Sequence, residues 1–139
     1  MENAANITVQ VNVTADSAKA WDYWTKPRHI TNWNFASNDW HCPYAENDLR
    51  AGGKLKSRME ARDGSAGFDF AGTYTRVEPH ALIEYTFGDR VGLVEFVAVP
   101  QGITVRVTFD AETEHPADMQ RQGWQAILDN FVRYVEGHR

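Results

Sequence analysis

Residues 68–110 read FDFAGTYTRVEPHALIEYTFGDRVGLVEFVAVPQGITVRVTFD. Apolar or aromatic residues alternate with polar ones in four segments of this stretch, a period of two that is typical of strands with one buried face. The four segments are 68–77, 81–87, 91–99 and 102–109. Turns containing Gly, Pro or Asp separate them, and the connections are too short for a parallel crossover. The stretch therefore predicts an antiparallel meander.

Two further segments predict strands before this meander. Residues 7–13 alternate Ile and Val with polar residues, and residues 54–62 alternate small or apolar residues with Lys, Arg and Glu. We interpret the basic side chains of 54–62 as protection of an exposed sheet edge. Residues 63–65, Asp-Gly-Ser, are typical of a hairpin turn. Residues 34–48 show no sustained period and are interpreted as a long loop with room for a short strand.

Three segments predict helices. Asp16 or Ser17 is the candidate N-cap of a short helix, and a second short helix is predicted at 27–33, with Pro in its first turn. A long helix is predicted to start at Pro116, with Asp118 in its first turn, and to run to Glu136. It carries one mainly apolar face, formed by Gln120, Trp124, Ile127, Leu128, Phe131 and Val135. We expect this face to pack on the sheet. The fold class is α+β, a curved antiparallel sheet of about six or seven strands wrapped around a long C-terminal helix, with two short helices after strand 1.

Composition limits the classes of partner and location. With 139 residues, 42% hydrophobic and 24% charged, the chain fits one folded domain spanning 1–139. A net charge of -5 without a basic stripe argues against a nucleic-acid partner. The apolar runs are far shorter than the ~20 residues that span a bilayer. The N-terminal MENAANITVQ lacks the basic and apolar regions of a signal peptide, and one cysteine permits no internal disulfide, so we expect a cytoplasmic location.

Five stretches together resemble a known family. They are VTADSAKAW at 13–21, DLRAGG at 48–53, MEARDG at 59–64, FDFAGTY at 68–74 and GWQAILDNF at 123–131. The chain resembles the START-like or SRPBCC superfamily, which has the birch-pollen-allergen-like helix-grip fold, and within it the AHSA-type family of homologues of the activator of heat-shock protein 90 ATPase. The resemblance covers nearly the whole chain. It implies a cavity between sheet and helix that in the wider superfamily commonly receives lipid-like, sterol-like or polyketide-like molecules.

Twelve side chains are candidates for the lining of such a cavity. They are Trp33, Phe35, Trp40, Met59, Phe68, Phe70, Tyr74, Tyr85, Phe87, Phe96, Trp124 and Leu128. Aromatic rings offer large contact area and lose little rotamer entropy. The alternative is that these side chains simply fill the core. The aromatic residues of the loop at 34–48 suit a lid or rim, or packing against the strand ends.

Metal binding and catalysis find less support. His41 and Cys42, with His29 as a third ligand, lack the spacing of zinc sites, so no metal or cofactor is predicted. No Ser lies in a Gly-x-Ser-x-Gly turn. Tyr74, Tyr85 and His41 are the candidates for general acid-base chemistry at inward or rim positions.

The leading hypothesis is a non-enzymatic protein that binds a small hydrophobic or aromatic molecule. One alternative, implied by the family name, is a co-chaperone-like protein that stimulates a heat-shock ATPase. Another is a cyclase or dehydratase that uses cavity Tyr or His side chains. Edge strands at 7–13 or 54–62 could support a homodimer. We expect a bulky residue in place of Gly123 to destabilise the domain if the helix closely approaches the sheet there.

Overall fold

A computed structural model of the protein describes residues 6–137. In chain order its elements are β1 (Asn6–Val13), α1 (Ser17–Thr25), α2 (Pro27–Ile30), β2 (Trp40–Asn47), β3 (Lys54–Ala61), β4 (Gly67–Glu78), β5 (Leu82–Phe87), β6 (Arg90–Val99), β7 (Gly102–Asp110) and α3 (Ala117–Gly137). Residues 1–5, from which part of the cytoplasmic expectation comes, and residues 138–139 lie outside the described residues. Within 6–137, no helix combines the length and apolar character needed to cross a membrane.

The strands form one sheet in the order β1-β7-β6-β5-β4-β3-β2, and every neighbouring pair is antiparallel. From β2 to β7 each strand pairs with the next one along the chain, as the predicted meander requires. β1 pairs with β7, with Ile7 opposite Phe109. The sheet curls into a half-barrel around α3. The predicted α+β helix-grip fold is therefore confirmed.

β2 occupies the second half of the segment 34–48, which was interpreted as a long loop with room for a short strand. Residues 40–47 pair with β3, and the register shifts between His41 and Tyr44. Pro43, which cannot donate a ladder hydrogen bond, lies within this shift. The bulge interrupts the alternation from which a strand is recognised.

The position of β3 corrects an expectation. β3 pairs with β2 on one side and β4 on the other, so the segment 54–62 is not a sheet edge. Its basic side chains therefore do not protect an edge. Lys56 and Arg58 instead face Asp69 on β4, with nitrogen–oxygen distances of 3.8 and 3.4 Å. The edges of the sheet are β1, as the prediction for 7–13 allows, and β2.

The short helices follow from local hydrogen bonds. The Asp16 carboxylate caps α1 by accepting a hydrogen bond from the backbone N–H three residues later, at 2.8 Å. α2 covers only Pro27–Ile30 rather than the predicted 27–33. Asn32 donates its side-chain amide to the Arg28 carbonyl at 2.8 Å, and such a bond favours a turn over continued helix.

α3 packs its C-terminal half into the core. Leu128, Phe131 and Val135 are 0% exposed. The Phe131 ring meets the rings of Trp24 and Trp33 at centroid distances of 5.1 and 5.0 Å. The predicted apolar face of this helix is confirmed, and the helix begins at Ala117, directly after the Pro116 that marks its predicted start.

Candidate functional site

The N-terminal half of α3 does not close on the sheet. A cleft of about 310 Å³ lies between them, lined by Asn34, Ala36, Met59, Phe68, Phe70, Phe87, Arg90, Phe109, Glu112, His115, Gln120, Gly123, Trp124 and Ile127. A Cβ atom added at Gly123 would meet no other atom within 4 Å. The helix does not closely approach the sheet at Gly123, so the condition under which a bulky residue there would destabilise the domain is not met.

Aromatic rings from three strands and the helix form most of the cleft wall. The Phe70 ring lies 5.4 Å from Phe87 and 6.5 Å from Trp124, and Trp124 lies 5.6 Å from Phe109. Strand alternation places Phe70, Phe87 and Phe109 on the concave face of the sheet. Phe68 lies in the wall at the start of β4 and is 51% exposed. The wall therefore offers ring surface to a guest molecule.

Beside the cleft lies a smaller inner chamber of about 70 Å³. It is lined by Trp24, Ile30, Trp33, Asn34, Glu46, Asn47, Leu55, Ser57, Phe70, Tyr74, Ile83, Tyr85, Val94 and Trp124. Asn34, Phe70 and Trp124 line both spaces and form the boundary between them. The chamber is the inner end of the site, and its lining includes the polar side chains of Asn47, Ser57, Tyr74 and Tyr85.

Two tyrosines supply hydroxyl groups to this inner end. The Tyr74 hydroxyl donates to the Asn47 Oδ1, and the Asn47 amide donates to the Thr25 carbonyl at 2.5 Å. Burial raises the pKa of Tyr74 and of Tyr85 well above the usual range, because the phenolate would lose its hydration. Both groups are therefore neutral O–H donors at physiological pH.

Gly92 makes room for Tyr85. The two residues are cross-strand partners in β5 and β6. A Cβ atom at Gly92 would lie 2.5 Å from the Tyr85 ring, which is closer than such atoms approach. The Tyr85 ring thus lies directly over the glycine on the concave face of the sheet.

Charged side chains form the outer rim of the cleft. The Arg90 guanidinium lies over the Phe87 ring, 4.4 Å from its centroid. Glu112 accepts a hydrogen bond from His115 Nδ1 at 2.9 Å, which raises the pKa of the exposed imidazole. Gln120 bonds the backbone of Glu112 through both ends of its amide, at 3.0 Å each. This residue holds the β7–α3 connection at the mouth of the cleft.

The structure brings together eight of the twelve side chains expected to line a cavity. Met59, Phe68, Phe70, Phe87 and Trp124 line the cleft, and Trp33, Tyr74 and Tyr85 join Phe70 and Trp124 around the chamber. Phe96 and Leu128 instead belong to the packed core, where Phe96 meets the rings of Trp21 and Trp24. Phe35 and Trp40 line neither space, although Trp40 lies 6.0 Å from Phe68 at the mouth.

Nine cleft residues were missing from the expected lining: Asn34, Ala36, Arg90, Phe109, Glu112, His115, Gln120, Gly123 and Ile127. Phe109 and Ile127 were recognised as inward-facing but assigned to the core, and Gln120 was assigned to the packed helix face. The available signal was their position: Gln120, Gly123 and Ile127 share the helix half that carries Trp124. Periodicity shows which face of an element points inward, but it does not show whether that face is packed in the core or borders an open cleft.

The side chains considered for a metal site are held separately. His29 Nδ1 bonds the Tyr134 hydroxyl at 2.8 Å, while His41 lies 3.7 Å from Glu60. Cys42 is buried, which raises the pKa of its thiol. Within 6–137 the one group of three potential ligands with suitable spacing is Glu112, Glu114 and His115, in the connection before α3.

Comparisons with known proteins place this architecture in a family. Residues 14–136 match the model of the family described as "Activator of Hsp90 ATPase homolog 1-like protein". An AHSA1-like protein from Aeromonas hydrophila, solved in solution, is 43% identical, with 96% of this chain and 93% of that chain covered and a TM-score of 0.90. Protein Chr148 from Cytophaga hutchinsonii is 44% identical, with 96% of each chain covered and a TM-score of 0.82.

Solved structures of lower sequence identity are similar to this chain in fold alone. Protein CV1439 from Chromobacterium violaceum shares 21% identity and a TM-score of 0.85, with 95% of this chain and 98% of that chain covered. No functionally curated protein matched the sequence. The family match spans nearly all of the described residues, and the Aeromonas structure agrees with it in both sequence and shape. The chain therefore belongs to the family of activator of Hsp90 ATPase homolog 1-like proteins.

Proposed function

We propose that the protein binds a small hydrophobic or aromatic molecule in the cleft between the sheet and the N-terminal half of α3, and that it acts as a binding protein rather than an enzyme. The observation that carries this proposal is the 310 Å³ cleft walled by aromatic rings and left open at Gly123. Ligand pockets in proteins are concave, largely apolar and supplied with a few polar groups. We propose the cytoplasm as its location, which the single buried cysteine favours.

The wall explains why an apolar guest is favoured. Phe70, Phe87 and Trp124 present ring surface to the cleft, and removing such surface from water contributes roughly 25 cal/mol per Å². Phe68 is half exposed at the mouth of the cleft, so a bound ligand would remove more of its ring surface from water than of the other wall residues. Met59 adds a flexible side chain that adapts to the shape of the guest.

The proposal is tested by native mass spectrometry of the purified protein, followed by a thermal-shift screen against fatty acids, flavonoids, sterols and polyketide-like aromatics. We expect a co-purifying mass or a selective stabilisation. A ligand at 100 times its Kd adds about 2.7 kcal/mol of apparent stability.

Gly123 offers a matched pair of variants for the same screen. Gly123→Leu places a side chain in the open space of the cleft and is expected to abolish the ligand-induced shift. Gly123→Ala leaves most of that space and is expected to retain the shift, while its better helix propensity raises the unfolding free energy of the free protein by roughly 0.5–1 kcal/mol. Absence of any bound mass or shift in the wild type, or equal shifts in Gly123→Leu, would contradict the proposal.

A chaperone partner is the alternative that the family description raises. Large exposed apolar side chains among the described residues lie on separate elements: Tyr44 on β2, Phe68 on β4, Val91 and Val97 on β6, and Met119 on α3. The cleft gathers its apolar surface in one concave place, and we therefore prefer the small-molecule proposal. Failure of the ligand screen, with stimulation of a chaperone ATPase by the pure protein, would favour the alternative.

A further inference from the structure

The Tyr85 hydroxyl is a buried polar group without a protein partner. Tyr85 is 5% exposed, and its side chain lines the inner chamber. Among residues 6–137 this hydroxyl makes no hydrogen bond, yet no fully enclosed side-chain oxygen or nitrogen of the described residues lacks one. The hydroxyl must therefore reach open space, and the chamber is the space that Tyr85 lines.

The neighbouring groups leave this hydroxyl available. Tyr74, opposite Tyr85 in β4, has already committed its hydroxyl to Asn47, and Asn47 donates its amide to Thr25. Tyr85 keeps its proton at physiological pH because burial disfavours the phenolate. Buried polar groups in native proteins nearly always have a partner, so a guest that supplies an acceptor satisfies an unmet bond.

The charge of the chamber decides which acceptor fits. Its lining contains no Lys, Arg or His, and Glu46 is its acidic residue. A carboxylate placed there would lose its hydration with no cation in the lining to pair with it. The Glu46 carboxylate lies on the exposed Tyr44 hydroxyl. The cation that acts on the Tyr85 hydroxyl is Arg90, at the cleft rim. A neutral oxygen pays a much smaller desolvation cost, which one O–H donor can offset.

The size of the chamber sets how much of the guest enters. A volume of about 70 Å³ exceeds the ~10–15 Å³ that one water needs. It suits a small polar group and excludes the body of a polycyclic molecule. The adjoining cleft, which shares Phe70 and Trp124 with the chamber, has the larger volume for that body.

We propose that the ligand carries a neutral oxygen acceptor, a ketone or hydroxyl oxygen, that enters the inner chamber and accepts a hydrogen bond from Tyr85 while its apolar body occupies the cleft. This inference rests on the proposed function and specifies its ligand class. It makes Tyr85 the residue that selects oxygenated aromatic molecules over plain hydrocarbons and over carboxylates.

Three matched probes test the inference by isothermal titration calorimetry. 2-Acetylnaphthalene and 2-ethylnaphthalene differ by one carbonyl oxygen, and 2-naphthoate replaces the ketone with a carboxylate. We expect the wild type to bind the ketone about tenfold more tightly than the hydrocarbon, the equivalent of one buried hydrogen bond. The carboxylate should bind more weakly than the ketone.

Two variants test whether the difference in affinity between ketone and hydrocarbon comes from the Tyr85 hydroxyl. Tyr85→Phe should reduce the ratio of ketone to hydrocarbon affinity to about one. Tyr44→Phe, which removes an exposed hydroxyl on β2, should leave that ratio at its wild-type value. Circular dichroism of both variants confirms that they are folded before titration.

The outcomes separate the two proposals. Equal affinity of the wild type for ketone and hydrocarbon, an unchanged ratio in Tyr85→Phe, or tighter binding of naphthoate would overturn the neutral acceptor while leaving the binding function intact. Binding of none of the three probes, with no hit in the thermal-shift panel, would overturn both.

Discussion

The two halves of α3 share one apolar stripe but do different things. The C-terminal half buries Leu128, Phe131 and Val135 completely against the core. The N-terminal half, with Gly123 and Trp124, stands over open space. The same periodic pattern thus builds a closed core at one end and a candidate binding site at the other.

The difference teaches that tight packing and the proposed binding site occupy different halves of the helix. At the closed end, Phe131 meets the rings of Trp24 and Trp33, and tight packing there anchors α3. At the open end, a glycine occurs at a helix position where it costs helix stability and contacts nothing. A residue that is unfavourable for the helix and useful for an open cleft is consistent with selection for binding.

The largest expected effect compares one aromatic residue from each half. Phe131→Ala should lower the unfolding free energy by about 3–5 kcal/mol, because it empties a fully packed site. Trp124→Ala should cost less than half of that, since its side chain already borders the cleft. Urea denaturation followed by circular dichroism measures both. Equal losses would show that the two halves are packed alike.

A second comparison uses two glycines with different surroundings, Gly92 beneath the Tyr85 ring and Gly123 beside the cleft. Gly92→Ala should destabilise the domain by roughly 1–3 kcal/mol, because the new Cβ would lie 2.5 Å from the Tyr85 ring and displace it. The same change at Gly123, where nothing lies within 4 Å, should be stabilising. Thermal denaturation of the two variants measures the sign. Two effects of one sign would contradict the geometry of the cleft.

The smallest expected effect is a sensitivity to alkali. The pKa of Tyr85 is raised in the folded protein, whereas an unfolded tyrosine loses its proton near pH 10. Above that pH the unfolded state binds fewer protons than the folded state, so stability is complete below pH 10 and falls as pH rises further.

Each buried tyrosine contributes a slope of about 1.4 kcal/mol per pH unit in that range. Tyr85→Phe should therefore lose less stability than the wild type between pH 10 and 11, when both are compared by urea denaturation. The same pair compared between pH 7 and 8, where tyrosine keeps its proton in both states, serves as the control. Parallel curves for wild type and Tyr85→Phe would contradict the burial of this hydroxyl.

Most of the fold could be predicted because its signals are local. Alternation of Ile83, Tyr85 and Phe87 identifies β5 and its buried face, and Asp16 identifies the start of α1. β2 was anticipated only as room for a short strand in a long loop, since Pro43 and the bulge beside it break the alternation. A strand of this kind is recognised only when its partner strand is in place.

The candidate site was only partly predictable for a different reason. The residue types that face inward follow from periodicity, but Leu128 and Trp124 lie four residues apart on one stripe and have different surroundings. The free hydroxyl of Tyr85 depends on Asn47, which is distant in sequence and bonds Tyr74 instead. Such properties arise from tertiary packing and leave no local pattern.

The division between the two halves of α3 is tested most directly by mapping amide chemical shifts in the ¹⁵N-labelled protein during titration with 2-acetylnaphthalene. We expect the changes to centre on the cleft, at Gly123, Trp124 and Phe87, and to be small from Leu128 to Val135. An absence of changes at the cleft, or changes centred on the C-terminal half of the helix, would contradict the account.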